Sequence, residues 1–445
     1  MGYKAKRREY AARQVCAQLR AAGFRALFAG GCVRDLLLGQ PPHDIDIATD
    51  ARPDQVTALF PKTIAVGAQF GVIVVMRAEG MFEVATFRTD GPYLDGRHPT
   101  SVSFTGPKQD AQRRDFTINA LFFDPETDTV LDYVGGREDL NARIVRAVGN
   151  PGQRFQEDRL RLLRAARFAA RLGFQIAPDT LAAMRKMASQ ITTTSAERIR
   201  DELVKMLTEG HARTAFEILE GTGLLAQILP EIAAMRGVQQ PRGYHPEGDV
   251  WAHTLLILEQ MPERASPTLA LGALLHDVGK PVTQTYEDRI RFNLHDKVGA
   301  RISEKICKRL RMTSRMVQRV SWLVENHMRL KDFMKMRKHR RIHLARTDGF
   351  NELLALCRMD AAASHGDTSF LDAIETYLAT LDKETMRPPP LLTGKDLIEM
   401  RYIPGPAFKR ILRKVEALQL DGQLKDTDAA RAYVSKHYPR QQGKA

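Results

Sequence analysis

Apolar residues over the first 125 positions alternate between two periods. Ala11, Val15 and Leu19 fall four apart, the spacing of one helical face, and Gly23 follows where a left-handed stop belongs. Phe24–Phe28 predicts a short strand, Gly30-Gly31 a tight turn and Val33–Leu38 a helix. Gln40-Pro-Pro-His43 breaks the chain before Asp44–Ile47, a predicted strand. Phe70–Arg77 and Met81–Arg88, joined by Ala78-Glu79-Gly80, predict a hairpin, and the Gly- and Pro-rich segment Asp90–Thr100 a loop. Beyond Arg154 the pattern turns helical. Phe155, Leu160, Leu163, Phe168 and Leu172 share one stripe that ends at Gly173, and Ser195-Ala-Glu-Arg198 predicts a capped helix carrying Ile199, Leu203 and Met206. Pro230 and Gln239–Gly243 mark a boundary, residues 244–380 are helical and histidine-rich, and Pro388–Gly394 links to a short helical tail. The divisions fall at 1–150, 151–240, 241–385 and 386–445, with no internal repeat.

Composition narrows the class. The 445 residues are 43% apolar and 27% charged, which suits a globular chain of several domains and excludes a disordered or fibrous one. No run approaches the ~20 apolar residues of a membrane helix, and the basic N-terminus is not followed by the apolar core of a signal peptide. The four cysteines lie far apart, against both a disulfide framework and a cysteine zinc site, so a soluble, reducing, cytoplasmic setting is expected. A net charge of +14 points to a polyanionic partner. Between Arg301 and Arg346 there are 15 basic residues against three acidic ones, an excess of +12. Lys305, Arg309 and the following cations can share a helix face, a track for RNA phosphates, and the scarcity of interleaved aromatics favours recognition of shape and backbone.

Two constellations carry chemistry. Asp44 and Asp46 sit two apart on a predicted strand, so their carboxylates face one side of the sheet, ~6.5 Å apart in rise. Glu83 lies on a second strand within reach if the two pair. Three such carboxylates suit two Mg²⁺ ions acting on a triphosphate and an attacking hydroxyl. Gly30-Gly31, opening a helix, offers backbone N–H groups to phosphate, and Arg34 adds a fixed positive charge. The second set, His253, His276-Asp277 and Asp360, has ligands that suit a hydrolytic divalent metal, with His295 and His327 as further candidates.

In their order, these residues resemble a known family. Gly30-Gly-Cys-Val-Arg-Asp35 with Asp44-x-Asp46 resembles the opening of the polymerase-β-like nucleotidyltransferases, specifically the class II tRNA nucleotidyltransferase and bacterial poly(A) polymerase family. Asp95-Gly-Arg97-x-Pro99, Asp110-x-x-Arg113-Arg114-Asp-Phe-Thr-Ile-Asn119, Glu157-Asp158-Arg-Leu-Arg161-x-x-Arg164 and Ser195-x-Glu197-Arg198 follow in the family's order. The stretch around His276-Asp-Val-Gly-Lys280 resembles the HD phosphohydrolase superfamily.

The resemblance implies an α+β chain: a nucleotidyltransferase head with a small mixed sheet (1–150), a base-reading helical neck (151–240), an HD-type helical domain (241–385) and a helical tail (386–445). Asp44, Asp46 and Glu83 would be catalytic and hold Mg²⁺. Gly30, Gly31, Arg34, Arg97, Arg114 and Asn119 would bind the nucleotide. Asp158 and Arg161, on one helix face, would present acceptor and donor edges to the base, with Arg164 completing the pocket. The implied activity is untemplated addition of CMP and AMP from CTP and ATP to the tRNA 3′ end, with a possible phosphohydrolase activity at the HD site using an unspecified divalent metal. Alternatives are an A-adding or CC-adding partial enzyme, a poly(A) polymerase, an HD phosphohydrolase with an RNA-binding head, or a non-enzymatic tRNA-binding scaffold. The oligomeric state is open.

Overall fold

The alternating N-terminal pattern builds a seven-stranded mixed sheet in the computed structural model, which describes residues 3–42, 44–65, 70–93, 100–241, 243 and 246–439. Strands β1 (Ala26–Ala29), β2 (Asp46–Thr49), β3 (Thr63–Ile64), β4 (Val72–Arg77), β5 (Gly80–Thr86), β8 (Phe122–Asp124) and β9 (Thr129–Leu131) lie in the order β3-β4-β5-β2-β1-β8-β9. Strands β6 (Arg88–Asp90) and β7 (Val102–Phe104) form a separate hairpin. Strand β2 runs antiparallel to β1 and parallel to β5, which makes the sheet mixed. Leu27, Ala29, Ala48, Phe87 and Phe122 pack into a core on this sheet. Apolar β1 is buried along its whole length, whereas β2 buries Ile47 to Thr49 and leaves its first residue, Asp46, outside the core.

Several local expectations are corrected. The strand predicted from Asp44 begins at Asp46, so Asp44 lies in its lead-in, and the helix expected at Val33 begins at Gly31. The stripe from Phe155 to Leu172 is two helices, Pro151–Glu157 and Arg161–Leu172. The break occurs because the Asp158 carboxylate accepts from Leu160 N–H at 3.1 Å, and its carbonyl from Arg161 N–H at 3.0 Å. A short acidic side chain that captures a nearby backbone donor starts a helix in preference to continuing one. Asp158 and Arg161 therefore do not share one helix face. Ser195 stands at the N-terminal boundary of the helix Ala196–Thr208, but its hydroxyl makes no capping bond.

The chain divides into two units. One comprises Met1–Ala234 with Pro262–Arg264 and Arg309–Arg311, and the other Met235–Met261, Ala265–Lys308 and Met312–Ala445. The second is built on the helices Val250–Glu259, Pro267–Leu275, His295–Arg309, Ser314–Asn326 and Phe350–Ala363. Pro267–Leu275 is buried from Leu269 onward and delivers His276 at its C-terminal end, as the apolar run predicts. Two close approaches hold this bundle together: a Cβ on Gly272 would lie 3.0 Å from Leu323 Cδ1, and one on Gly279 2.2 Å from His295 O. In the tail, Leu397, Ile411, Val415, Ala430 and Val434 form a core of their own.

The basic stretch is spread over Ser314–Asn326, His327–Lys335, Lys338–Ala345 and the end of His295–Arg309, so it is not one helix face. Arg309 is held by Glu231 at 2.6 Å, Arg319 by Glu352 at 3.0 Å and by Asp348, and Arg346 by Glu416 at 2.6 Å. Among the described residues no helix is long and apolar enough to cross a membrane.

Candidate active site and metal cluster

Pairing Ile47 with Val84 in the parallel β2–β5 ladder sets Asp46 beside Glu83, one step back on each strand. Asp44, two residues earlier, alternates with buried Ile45 and points the same way as Asp46. Desolvation by the surrounding walls, followed by the Glu83 charge, raises the Asp46 carboxyl to about 6. Such crowding of carboxylates is relieved by a cation, so the donor set fits a divalent metal. The Arg8 guanidinium lies 2.7 Å from Asp44.

Asp44 and Asp46 open onto a cleft of about 1230 Å³ that is also lined by Gly30, Gly31, Arg34, Arg114, Asn119, Asp158, Arg161 and Arg164. Glu83 stands beside Asp46 but does not itself line the cleft. Arg97 and its motif lie outside the described residues. Gly30 has φ +77, and a Cβ there would stand 2.9 Å from Arg114 Nη1. Only glycine therefore allows both the turn and the close approach of Arg114. Gly31 begins the helix Gly31–Leu37, whose first N–H groups have no acceptor within the helix.

The predicted cations are held by carboxylates and amides. Buried Arg34 bonds Asp35 through Nε and Nη2, at 2.8 and 2.7 Å, and Asn119 Oδ1 at 2.5 Å. Arg114 forks onto Asp110 at 3.0 and 3.1 Å and bonds the Asn119 carbonyl. Arg164 is bidentate to Asp115 at 2.7 and 2.9 Å. Burial would raise Asp115, but Arg164 and Arg161 outweigh it and hold the carboxyl down at about 2.

Asp158 is gripped bidentately by Arg198 at 2.8 and 3.0 Å. Arg161 donates to Glu157 at 2.8 Å and to the carbonyls of Arg154 and Arg113. The two do not pair with each other; different partners set their orientation.

In the second unit, His253, His276, Asp277, His295, His327 and Asp360 converge. His253 Nε2 is 3.1 Å from Asp360 Oδ1, His276 Nε2 3.1 Å from Asp277 Oδ2, and His295 Nε2 3.3 Å from His327 Nε2. Asp277 Oδ1 stands 3.5 Å from His295 Nε2 and 3.9 Å from His327 Nε2. His253, His276 and Asp277 could hold one ion, and Asp277, His295 and His327 another.

The Nδ1 atoms face away from this centre. Those of His276, His295 and His327 bond the carbonyls of Ala273, Phe292 and Val324 at 2.7–2.9 Å, and that of His253 lies 2.8 Å from Glu247. This outer shell fixes each ring and leaves Nε2 for a metal. Burial would lower His253, but Asp360 and Glu247 prevail and lift it to about 9. For His327, burial and then His276 bring it down to about 4. The buried His276 Nε2 has no hydrogen bond, which fits an atom arranged for a metal, whereas Asp277 Oδ2 is ion-paired with Lys280 Nζ at 2.6 Å.

Family models match at residues 26–146 (Poly A polymerase head domain), 173–236 (Probable RNA and SrmB- binding site of polymerase A) and 243–362 (HD domain). The CCA-adding enzyme of Geobacillus stearothermophilus is 48% identical over 217 residues, 48% of this chain and 53% of that protein. The chain carries the head and RNA-binding regions of the poly(A) polymerase family, followed by an HD domain.

Its match spans about half the length of the curated relatives. The crystal structure of Bacillus stearothermophilus CCA-adding enzyme in complex with CTP is similar over 98% of both chains, with a TM-score of 0.73 at 29% identity. The Thermotoga maritima CCA-adding enzyme complexed with tRNA shares the fold, with a TM-score of 0.58 at 18% identity over 96% of this chain and 94% of that one. Against the family motifs, the sequence reading overlooked Arg8, Asp115 and Glu247 as members of the two sites. Arg8 lies in the basic N-terminal run, Asp115 inside the block quoted for Arg114, and Glu247 in the segment next to the boundary at Gln239–Gly243.

Proposed function

We propose that this chain adds CMP and AMP to the 3′ end of tRNA, drawing on CTP and ATP without a nucleic-acid template, in the cytoplasm. The observation that carries the reading is one cleft with two kinds of wall: Asp44 and Asp46 at one side, and the Asp158 and Arg161 side chains, held by Arg198 and Glu157, at the other. The names of its relatives, CCA-adding enzymes, support the same substrates.

In this reading Asp44, Asp46 and Glu83 hold divalent cations, Mg²⁺ in the cell. When bound, these lower the pKa of the attacking 3′-hydroxyl and offset charge on the triphosphate and leaving pyrophosphate. The first N–H groups of Gly31–Leu37 and the Arg114 guanidinium receive phosphate oxygens, and the region before residue 150 acts as the catalytic head. Asp158 keeps an unused lone pair beside Arg198, and Arg161 keeps donors not directed at Glu157 or the two carbonyls. Acceptor and donor can then meet the Watson–Crick edge of cytosine or adenine, with the neck (151–240) in place of a template. Fixed partners let these edges select a base without reordering, and holding both substrates in line supplies much of the rate.

The second unit is read as a metal-dependent phosphohydrolase, with His253, His276, Asp277 and Asp360 as ligands and His295 and His327 serving a second ion. Cations of the 301–346 stretch without a strong carboxylate partner contact the RNA backbone.

Single-nucleotide extension tests the transferase. Given tRNA transcripts ending before CCA, after C and after CC, the protein is expected to add C, C, then A and stop. The double variant Asp44→Ala/Asp46→Ala should lose at least about a thousandfold, and full retention would end the assignment. A on the CC-ended transcript alone, or a long A ladder, would move it to the A-adding or poly(A) branch. Removing the HD ligands with His253→Ala/Asp277→Ala should abolish metal-stimulated hydrolysis of phosphate esters and leave extension within about twofold. Collapse of extension would refute the separation of the two sites.

A further inference from the structure

Arg34 and Arg164 belong to a closed circuit of charges that extends past every motif quoted above. From Arg34 it runs to Asn119 (2.5 Å), Asp115 (3.2 Å) and Arg164 (2.7 Å). It continues from Arg164 to Glu202 (3.9 Å), Arg167 (2.6 Å) and Glu209 (3.4 Å), then to Arg171 (3.7 Å), Asp35 (3.8 Å) and back to Arg34 (2.7 Å). Phe168 sits within it: the guanidinium carbons of Arg34, Arg164 and Arg167 lie 5.2, 5.2 and 4.3 Å from its ring centroid. Four arginines are balanced by four carboxylates, so the circuit is neutral although three cations share one aromatic ring.

The circuit has a tight half and a loose half. Arg34, Asp115 and Glu202 are largely buried and, with the 32% exposed Arg164, bond mostly at hydrogen-bond distance. Around Arg171 and Glu209 the side chains are 27% and 31% exposed, and the links are ion pairs of 3.4–3.8 Å. The loose half is a second link between the two parts of the cleft, beside the one that runs through Asn119 and Asp115. Asp35 turns Oδ1 to Arg34 and Oδ2 to Arg171. Arg171 belongs to the same helix as Arg161 and Arg164, whereas Asp35 belongs to the helix that begins at Gly31.

We propose that Arg171 and Glu209 are positioning residues: through Asp35 they set the phosphate-side helix Gly31–Leu37 against the base-side helix Arg161–Leu172, and so tune nucleotide affinity. This rests on the transferase reading for which ligand is positioned. Arg171 acts as a charge at 3.7–3.8 Å and not as a bidentate fork, so a lysine replaces it.

The test compares Arg171→Gln, Glu209→Gln, their double variant and Arg171→Lys in the full chain. Each Gln variant is expected to raise KM for CTP and ATP about three- to tenfold, with kcat and KM for tRNA within about twofold. The double variant should be no worse than the more impaired single one, because both act along one path. Arg171→Lys should restore most of the loss.

An unchanged nucleotide KM in folded Arg171→Gln would reduce the circuit to scaffold. A raised KM for tRNA with nucleotide KM intact would make Arg171 an RNA contact. Failure of Lys to rescue would refute the charge-only role. Should Arg171→Gln unfold, the partly exposed Glu209→Gln still decides. Equilibrium binding of CTP separates this inference from the one beneath it. A wild-type protein that binds CTP but never extends tRNA refutes the transferase reading, whereas the ratio of CTP Kd between wild type and Arg171→Gln tests the circuit regardless.

Discussion

Asp115 illustrates how one carboxylate can serve both stability and the site. It anchors Arg164 and Asn119, and its carboxyl is held at about 2 against an ordinary value near 3.9. A depressed carboxylate stabilises the fold fully above its unfolded pKa, and that contribution disappears as pH falls through the folded value. On the order of 2 kcal/mol should therefore vanish between about pH 4 and 2. Asp115→Asn is expected to be less stable at pH 7 but to lack this slope, as measured by urea midpoints at stepped pH. A parallel slope in both proteins would refute the assignment. Which residues gather in the cleft and in the histidine cluster was largely legible in the sequence. Their partners were not. Nothing in the spacing says that Asp158 meets Arg198, 40 residues on, or that Arg8 reaches Asp44, because such choices are made by tertiary packing.

At the scale of elements, the reading of strands survives best because period-two alternation and buried runs report directly on a sheet. The β4–β5 hairpin joins Val72–Arg77 to Gly80–Thr86, close to its predicted bounds. Helix interiors were legible but their interruptions were not. The apolar stripe from Phe155 to Leu172 continues through the break at Asp158, since burial on both sides of a kink gives the same hydrophobic signal. Close packing of elements is equally silent until glycines are placed. Gly279 lies against His295 O and Gly299 N, where a Cβ would stand at 2.2 and 2.7 Å. Gly279→Ala is thus expected to cost about 1–3 kcal/mol or more and to displace His295 from the cluster. Lower Tm with loss of bound divalent metal, read by differential scanning calorimetry and metal analysis, would confirm it. A neutral substitution would mean that the turn at Gly279 and the helix His295–Arg309 can separate freely.

For the whole molecule, the charge surplus is real but locally offset. A +12 excess over residues 301–346 looks in the sequence like a continuous track, yet Arg309, Arg319 and Arg346 each have carboxylate partners elsewhere in the chain. Counting charges within a window cannot see acids brought in by folding. If tRNA is the partner, exposed Lys305 should contribute more to its salt dependence than Arg309. Lys305→Ala is expected to reduce the slope of log affinity against log salt by about 0.7–1, and Arg309→Ala by less. Equal slopes for both variants and wild type would place the RNA contact elsewhere.

The alternation of Asp44, Ile45, Asp46 and Ile47 has a consequence for how this chain tolerates an error of register. Ile45 and Ile47 are buried, while the intervening aspartates face the cleft. A one-residue slip of β2 within its ladder would exchange the two faces, burying carboxylates and exposing isoleucines in a single step. Such a protein would fail to fold before it could fold with its acids misplaced. Quality control in the cell then screens the register of these carboxylates through folding alone, because the same apolar residues that hold the sheet together exclude a mis-registered copy.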